Sequence, residues 1–177
     1  MVSDKIIADA VTKMVDSTYS LGDESKGWDC LNSLKEFYEA CGVKFPREFE
    51  DWNEANYAEK WVFDPEIGRE AFFRFLQTLG KPVDLNYAVR GDLLLLKTTV
   101  EKEVTDTIPK RVLNRIKETH PFMRRMINNV LAGRSLLTWP AIYLGNGKIF
   151  MIYEKGGRVI PLKFYERFTT EVRRLIP

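Results

Sequence analysis

Apolar residues recur along the first half of the chain at helical spacing, and this pattern predicts three helices. The helices cover residues 4–17, 29–41 and 64–79. Ser3 and Asp64 stand where the side chains of N-cap residues would lie. Residues 46–63 are aromatic and acidic without a clear period, so we expect a wrapping loop or a broken helix there.

The second half contains short apolar runs bounded by turn residues, which predict strands. Four such runs lie at 91–97, 139–144, 148–153 and 158–162. Asn146 with Gly147, and Gly156 with Gly157, are suited to hairpin turns.

Two further helical stretches are predicted around these strands. Residues 98–136 form a basic insertion with eight lysines and arginines against four acids. The last segment repeats its apolar residues at Phe164, Phe168, Val172 and Leu175, which predicts a C-terminal helix. Helices, then a mostly antiparallel sheet, then a closing helix predict one α+β domain over residues 1–177.

Composition excludes several classes of function. The 177 residues have a net charge of +2, so no nucleic-acid partner is predicted. Charged residues interrupt the first twenty positions, and no apolar run approaches the roughly 18 residues of a membrane span. We therefore expect a chain made in the cytoplasm without a signal peptide or a membrane span.

The two cysteines, Cys30 and Cys41, fall on one predicted helix. At ~1.5 Å rise per residue they would lie ~16 Å apart, too far for a disulfide. With a single histidine in the chain, no zinc site is expected, and no cofactor or other metal is predicted.

Cys30 carries the main candidate chemistry. A thiol in the first turn of a helix lies where the helix dipole stabilises a thiolate nucleophile. Cys30 also lies on the apolar stripe of its helix, as buried structural cysteines do. Helix position alone therefore leaves both interpretations open.

Several segments together resemble the NlpC-type cell-wall peptidases, which are papain-like cysteine enzymes. Residues 19–46 match the nucleophile segment, with Tyr19, Gly22, Asp29 and Cys30 followed by an aromatic pair and a Gly–Val–x–x–Pro-like exit. Residues 91–93, 141–148 and 159–162 resemble the family's strands, and 173–175 its closing helix. The resemblance implies a papain-like fold with Cys30 as nucleophile and Tyr19 and Asp29 at the substrate.

The resemblance also identifies where the catalytic chemistry is lost. The family's general base is a histidine that opens the second strand, and Trp139 occupies that position here. The polar residue that orients the base corresponds to Met151. We expect Trp139 to begin a strand facing Cys30, and neither side chain can act as a base.

His120 lies in the basic insertion and has two interpretations. It is either a surface residue at a helix boundary or a displaced base that the insertion brings to Cys30.

These features lead to three functional hypotheses. The first is a degenerate, non-catalytic domain with a structural or binding role, such as a phage tail-tip or hub protein in the virion. The second is an active peptidoglycan amidase or endopeptidase that uses Cys30 and His120. The third is an acyl transferase or another thiol enzyme. The partners implied are other tail-tip proteins and, as an alternative, peptidoglycan.

Overall fold

A computed structural model describes most of the chain outside the basic insertion. The described residues are 2–23, 25–46, 48–49, 52–53, 56–57, 59, 65–99, 111, 136–153 and 156–177. His120 and almost all of the predicted insertion therefore lie outside the described residues. The flanking strands include residues 98–99 and 136, which the prediction had placed in the insertion.

Three α-helices occupy the first half of the described chain, as the apolar spacing predicts. They are α1 (Asp4–Thr12), α2 (Cys30–Ala40) and α3 (Pro65–Thr78). The Ser3 side chain accepts a hydrogen bond from the Ile6 N–H and so caps α1. This helix ends five residues earlier than predicted, at a turn in which Asp16 has a positive φ of 60°.

A six-stranded antiparallel sheet forms the centre of the fold. Its strand order is β3-β8-β4-β5-β6-β7. The strands are β3 (Lys81–Val83), β4 (Leu93–Thr99), β5 (Leu136–Gly145), β6 (Lys148–Tyr153), β7 (Gly156–Pro161) and β8 (Thr169–Arg174). A separate two-stranded hairpin joins β1 (Glu48–Phe49) to β2 (Trp52–Asn53).

The core has two parts, one on each face of the sheet. The three helices pack on the face that contains Leu93, Leu95, Ile142 and Phe150. The opposite face buries a second cluster, made of Leu94, Leu96, Trp139, Ala141, Ile149, Met151, Leu162, Tyr165 and Val172. This division follows from the alternation of side chains along each strand.

One predicted hairpin turn is confirmed and the other is wrong. Asn146 and Gly147 both have positive φ, 50° and 65°, as a type I′ turn requires. Gly156 and Gly157 instead belong to β7. A Cβ on Gly156 would lie 1.6 Å from the Ser17 carbonyl oxygen, so this glycine is needed because the chain after α1 passes directly against the strand.

The predicted C-terminal helix is also wrong. Two 3₁₀ turns, Leu162–Phe164 and Glu166–Phe168, are followed by strand β8 between β3 and β4. β-Branched Thr169 and Thr170 open this strand, and Val172 packs in the second cluster. Pairing with two neighbouring strands outweighs the helical spacing of the apolar residues.

Candidate active site

Cys30 is the first residue of α2, and the preceding Asp29 caps that helix. The Oδ1 atom of Asp29 accepts hydrogen bonds from the Leu31 and Asn32 N–H groups, both at 2.9 Å. Its Oδ2 atom accepts from the Gly22 N–H at 2.7 Å. The helix start is therefore fixed by a carboxylate that is only 1% exposed.

Tyr57 completes the surroundings of this carboxylate. Its hydroxyl donates a hydrogen bond to Asp29 Oδ2, and the Asn32 side-chain amide donates to the same oxygen at 3.2 Å. Burial, followed by the negative charge of Asp29, raises the pKa of Tyr57 well above its usual range. Nothing in the aperiodic sequence around Tyr57 could have predicted this contact.

These hydrogen bonds give Asp29 a structural role. Five donors surround its two oxygens and fix the helix start, and its contact with substrate stays a prediction from the resemblance. Tyr19, the other residue predicted at the substrate, forms a parallel bridge with Trp28 and packs against the helix-side core.

The Cys30 thiol lies at the boundary between the two core clusters. It is partly exposed, and its Sγ atom lies 3.9 Å from the carbonyl oxygen of Ile152. The rest of α2 packs on the helix-side face, but Cys30 also contacts the cluster on the opposite face.

Trp139 reaches the same carbonyl oxygen from strand β5. Its indole Nε1–H donates to the Ile152 oxygen at 2.8 Å, and the side chain is 3% exposed. The paired residues of β5 and β6 end at Ile142 and Phe150, and Pro140 has no N–H to donate. The indole of Trp139 supplies a hydrogen bond to Ile152 beyond the end of this pairing.

Cys30, Trp139 and Met151 thus lie close together in the structure. Met151 is buried in the same cluster as Trp139, and Cys30 packs against that cluster. Trp139 is the fourth residue of β5, so it lies inside the strand and not at its beginning. The positions that the family resemblance assigns to the nucleophile, the base and its orienting residue therefore hold a thiol, an indole and a thioether.

The cavity beside Cys30 is very small. Its volume is about 10 Å³, and Cys30, Ser33, Pro140, Ala141 and Met151 are among its lining residues. A volume of that size holds about one water molecule. Among the described residues that line it there is neither a carboxylate nor an imidazole, so these residues supply no side chain that could accept a proton from the thiol near neutral pH.

Neither a metal cluster nor a membrane-spanning helix occurs in the described residues. No group of three or more histidine, cysteine, aspartate or glutamate side chains there could hold a metal ion. No helix in the same residues is long and apolar enough to cross a bilayer.

Comparison with known proteins finds similarity at the level of structure. No protein-family model matches the chain, and no curated protein does. An NlpC/P60 family protein from Bacillus cereus ATCC 10987 superposes on 99% of the chain with a TM-score of 0.57 and 15% identity. A lipoprotein-like NLP/P60 family protein from Staphylococcus aureus subsp. aureus Mu50 covers 98% with a TM-score of 0.53 and 14% identity.

The chain spans 41% of the length of each of these two structures. At this level of identity the similarity establishes the fold alone, and any catalytic activity has to be argued from the residues of the site. The order of helices and strands, the position of Cys30 at the start of α2 and the two superpositions together show that the chain has an NlpC/P60-type, papain-like fold.

Proposed function

We propose that this chain is a degenerate NlpC-like domain that has a structural or binding role and does not cleave peptide bonds. The observation that carries the proposal is the shared contact at Ile152, where the indole of Trp139 and the thiol of Cys30 reach one carbonyl oxygen. In this interpretation Trp139 stands in place of the general base, and Met151 in place of the residue that would orient it.

The chemistry of these side chains supports a non-catalytic role. Amide cleavage by a thiol needs a group that takes the thiol proton and returns it to the leaving amine. An indole N–H only donates, and a thioether is a weak acceptor that holds no proton. Trp139 and Met151 can therefore pack and close the site but cannot exchange protons.

The size of the cavity supports the same conclusion. A peptide substrate must bring its carbonyl carbon within about 3–3.5 Å of the sulfur. The cavity of about 10 Å³ beside the thiol is too small to hold a peptide group.

The second candidate function is that of an active cysteine hydrolase, a peptidoglycan amidase or endopeptidase. Two observations favour it: Cys30 keeps the helix-start position of a nucleophile, and its side chain is partly exposed. This function requires a displaced base, and His120 is the single histidine of the chain. An acyl transferase or another thiol enzyme would need the same base.

The biological setting stays a prediction from the resemblance. We propose a phage tail-tip or hub assembly as the setting, with neighbouring tail proteins as partners and peptidoglycan as the alternative ligand. Lys110, Arg111, Arg115, Lys117, Arg124 and Arg125 of the basic insertion would suit an acidic protein surface or an anionic wall polymer.

The decisive experiment incubates the purified protein with peptidoglycan and measures released amino groups and peptides. We expect no release from wild type and none from the Cys30→Ala variant. Turnover that falls about a hundredfold or more in both Cys30→Ala and His120→Ala, the usual scale for acid–base catalysis, would establish the hydrolase instead. Cys41→Ala is the matched control, since Cys41 lies at the far end of α2.

A further inference from the structure

A groove unrelated to Cys30 runs along α1. Its first hollow, about 310 Å³ in volume, lies between one side of α1 and the β5–β6 hairpin. Apolar side chains form most of its wall, among them Ile7, Val11, Val15, Leu144 and Val159. The volume is at the lower end of the range for ligand pockets.

A second hollow continues the groove toward the C-terminal strand. Its volume is about 350 Å³, and Val2, Val89 and Ile176 contribute its apolar wall. Ile7 and Arg90 line both hollows, so the two are adjacent and Arg90 stands between them. One elongated ligand can therefore occupy both.

Each hollow of this groove has an exposed apolar side chain in its wall. Val89 is 50% exposed and Val159 is 42% exposed, which places both among the five large apolar side chains exposed in the described part of the chain. Each lines a different hollow. Apolar side chains exposed at the rim of a concave surface are typical of an interaction site.

The charges around the groove favour an anionic ligand. Among the described residues, Arg90, Lys148 and Arg174 line it, against Asp4 and Asp92. Asp92 is buried and held by Arg174, whereas Asp4, which pairs with Arg90 at 3.0 Å, is 82% exposed. An incoming carboxylate can displace Asp4 from Arg90 at low cost, because exposed ion pairs contribute about 0–1 kcal/mol.

We propose that this groove binds an extended peptide segment of a partner protein, with apolar side chains on either side of one acidic residue. In an extended chain, residues i, i+2 and i+4 point the same way at intervals of about 7 Å. The outer two would enter the hollows at Val159 and Val89, and the middle carboxylate would pair with Arg90. No described residue lines both the groove and the cavity at Cys30, so this proposal stands or fails independently of catalysis.

The test uses the pentapeptide acetyl-Leu-Ala-Glu-Ala-Leu-amide as probe, with the Gln analogue as its neutral match. Backbone amide shifts of the labelled full-length protein are followed by NMR during titration with each peptide. We expect saturable shifts at residues of the groove, such as Val11, Leu144 and Lys148, and about fivefold weaker binding of the Gln peptide.

Three variants test which side chains contribute to peptide binding. Arg90→Ala should weaken binding of the Glu peptide about fivefold and leave the Gln peptide unchanged. Asp4→Asn should strengthen binding of the Glu peptide, because it removes the internal competitor for Arg90. Phe164→Ser is the control: Phe164 is equally exposed, at 48%, but lies outside the groove, so binding should not change.

Three outcomes would overturn the proposal. They are equal affinity for the Glu and Gln peptides, shifts that do not cluster at the groove, and shifts that grow with protein concentration in the absence of peptide. The last result would assign the groove to a second copy of this chain. Peptidoglycan assays on the same samples report on Cys30 separately, so failure of one proposal is distinguishable from failure of the other.

Discussion

Arg174 holds the buried carboxylate of Asp92 with two hydrogen bonds, from Nε to Oδ1 at 3.0 Å and from Nη2 to Oδ2 at 2.8 Å. Oδ2 also accepts from the Val89 N–H at 2.8 Å. The hydrogen bonds to Asp92 raise the pKa of the Arg174 guanidinium. Because Arg174 lies in β8 and Asp92 just before β4, the pair fastens the last strand to the centre of the sheet.

Removing Arg174 should therefore destabilise the fold. Arg174→Ala leaves a carboxylate that is 2% exposed without its cation, and Arg174 itself is 34% exposed. We expect a loss of about 2 kcal/mol, below the about 3–5 kcal/mol of a fully buried pair, because water reaches the arginine side. Urea unfolding measures it, with Arg90→Ala as the control because its partner Asp4 is exposed. Equal losses in the two variants would contradict the structural role of the pair.

Trp139→Phe should cost stability without affecting any chemistry. The variant keeps most of the buried ring but removes the N–H that reaches the Ile152 carbonyl oxygen. Leaving that acceptor with only the weak contact from the Cys30 thiol should lower the free energy of unfolding by about 1–2 kcal/mol. Tyr143→Phe, which loses only a long contact of 3.5 Å from the Gly147 N–H, should change it by less than about 0.5 kcal/mol. Thermal unfolding measures the stability of both variants. A Trp139→Phe variant as stable as wild type would show that the indole hydrogen bond contributes nothing to stability.

Two buried tyrosines should make the protein sensitive to alkali. Burial is the main cause that raises the pKa values of Tyr38 and Tyr57, so the folded chain keeps protons that the unfolded chain loses above about pH 10. The unfolded state then binds fewer protons, and stability falls as pH rises through that range.

Tyr57→Phe tests this sensitivity directly. At pH 7 it should cost about 1–2 kcal/mol through loss of the hydrogen bond to Asp29, yet its stability should fall less steeply above about pH 10. The exposed Tyr87, at 75%, provides the control Tyr87→Phe. Urea unfolding across the pH series gives the slopes, and parallel curves for wild type and Tyr57→Phe would refute the assignment.

The two thiols should differ in reactivity toward iodoacetamide. Cys41 is 7% exposed, and burial raises the pKa of its thiol, so little thiolate is available at pH 8. Cys30 is partly exposed and should react on the order of tenfold faster. Mass spectrometry of peptides from the native protein identifies the site, and both thiols should react in urea. Native labelling that persists in Cys30→Ser would show that Cys41 is accessible.

Local sequence patterns predicted the elements whose stability is local. The helix start at Asp29 and Cys30 follows from a capping carboxylate before an apolar stripe, and the turn at Asn146 and Gly147 needs only their tolerance of positive φ. The two free thiols likewise followed from spacing on one helix. The positions of Trp139 and Met151 near Cys30 were expected from the resemblance to the NlpC-type peptidases, and strand alternation places both side chains in one cluster.

Local patterns could not predict the elements whose structure depends on residues far away in the sequence. The apolar residues of segment 164–175 have helical spacing. Residues 169–174 nevertheless form strand β8, because β3 and β4 each offer an open edge with which they can pair. Gly156 and Gly157 resemble a turn, but the close approach of the Ser17 backbone to Gly156 and of the Met14 backbone to Gly157 explains them better. Tyr57 reaches Asp29 across 28 positions of sequence, and no local pattern encodes such a contact.

The insertion of β8 between β3 and β4 sets the order in which the protein can assemble during translation. Leu94 pairs with Val172, so β4 leaves the ribosome long before the strand that must cover it. Until then β4 has an unpaired edge, and Leu94 and Leu96 lack part of their packing, which is the usual origin of aggregation in nascent chains. A ribosome that stops before Thr169 should therefore release a polypeptide that needs a chaperone, not a smaller stable domain.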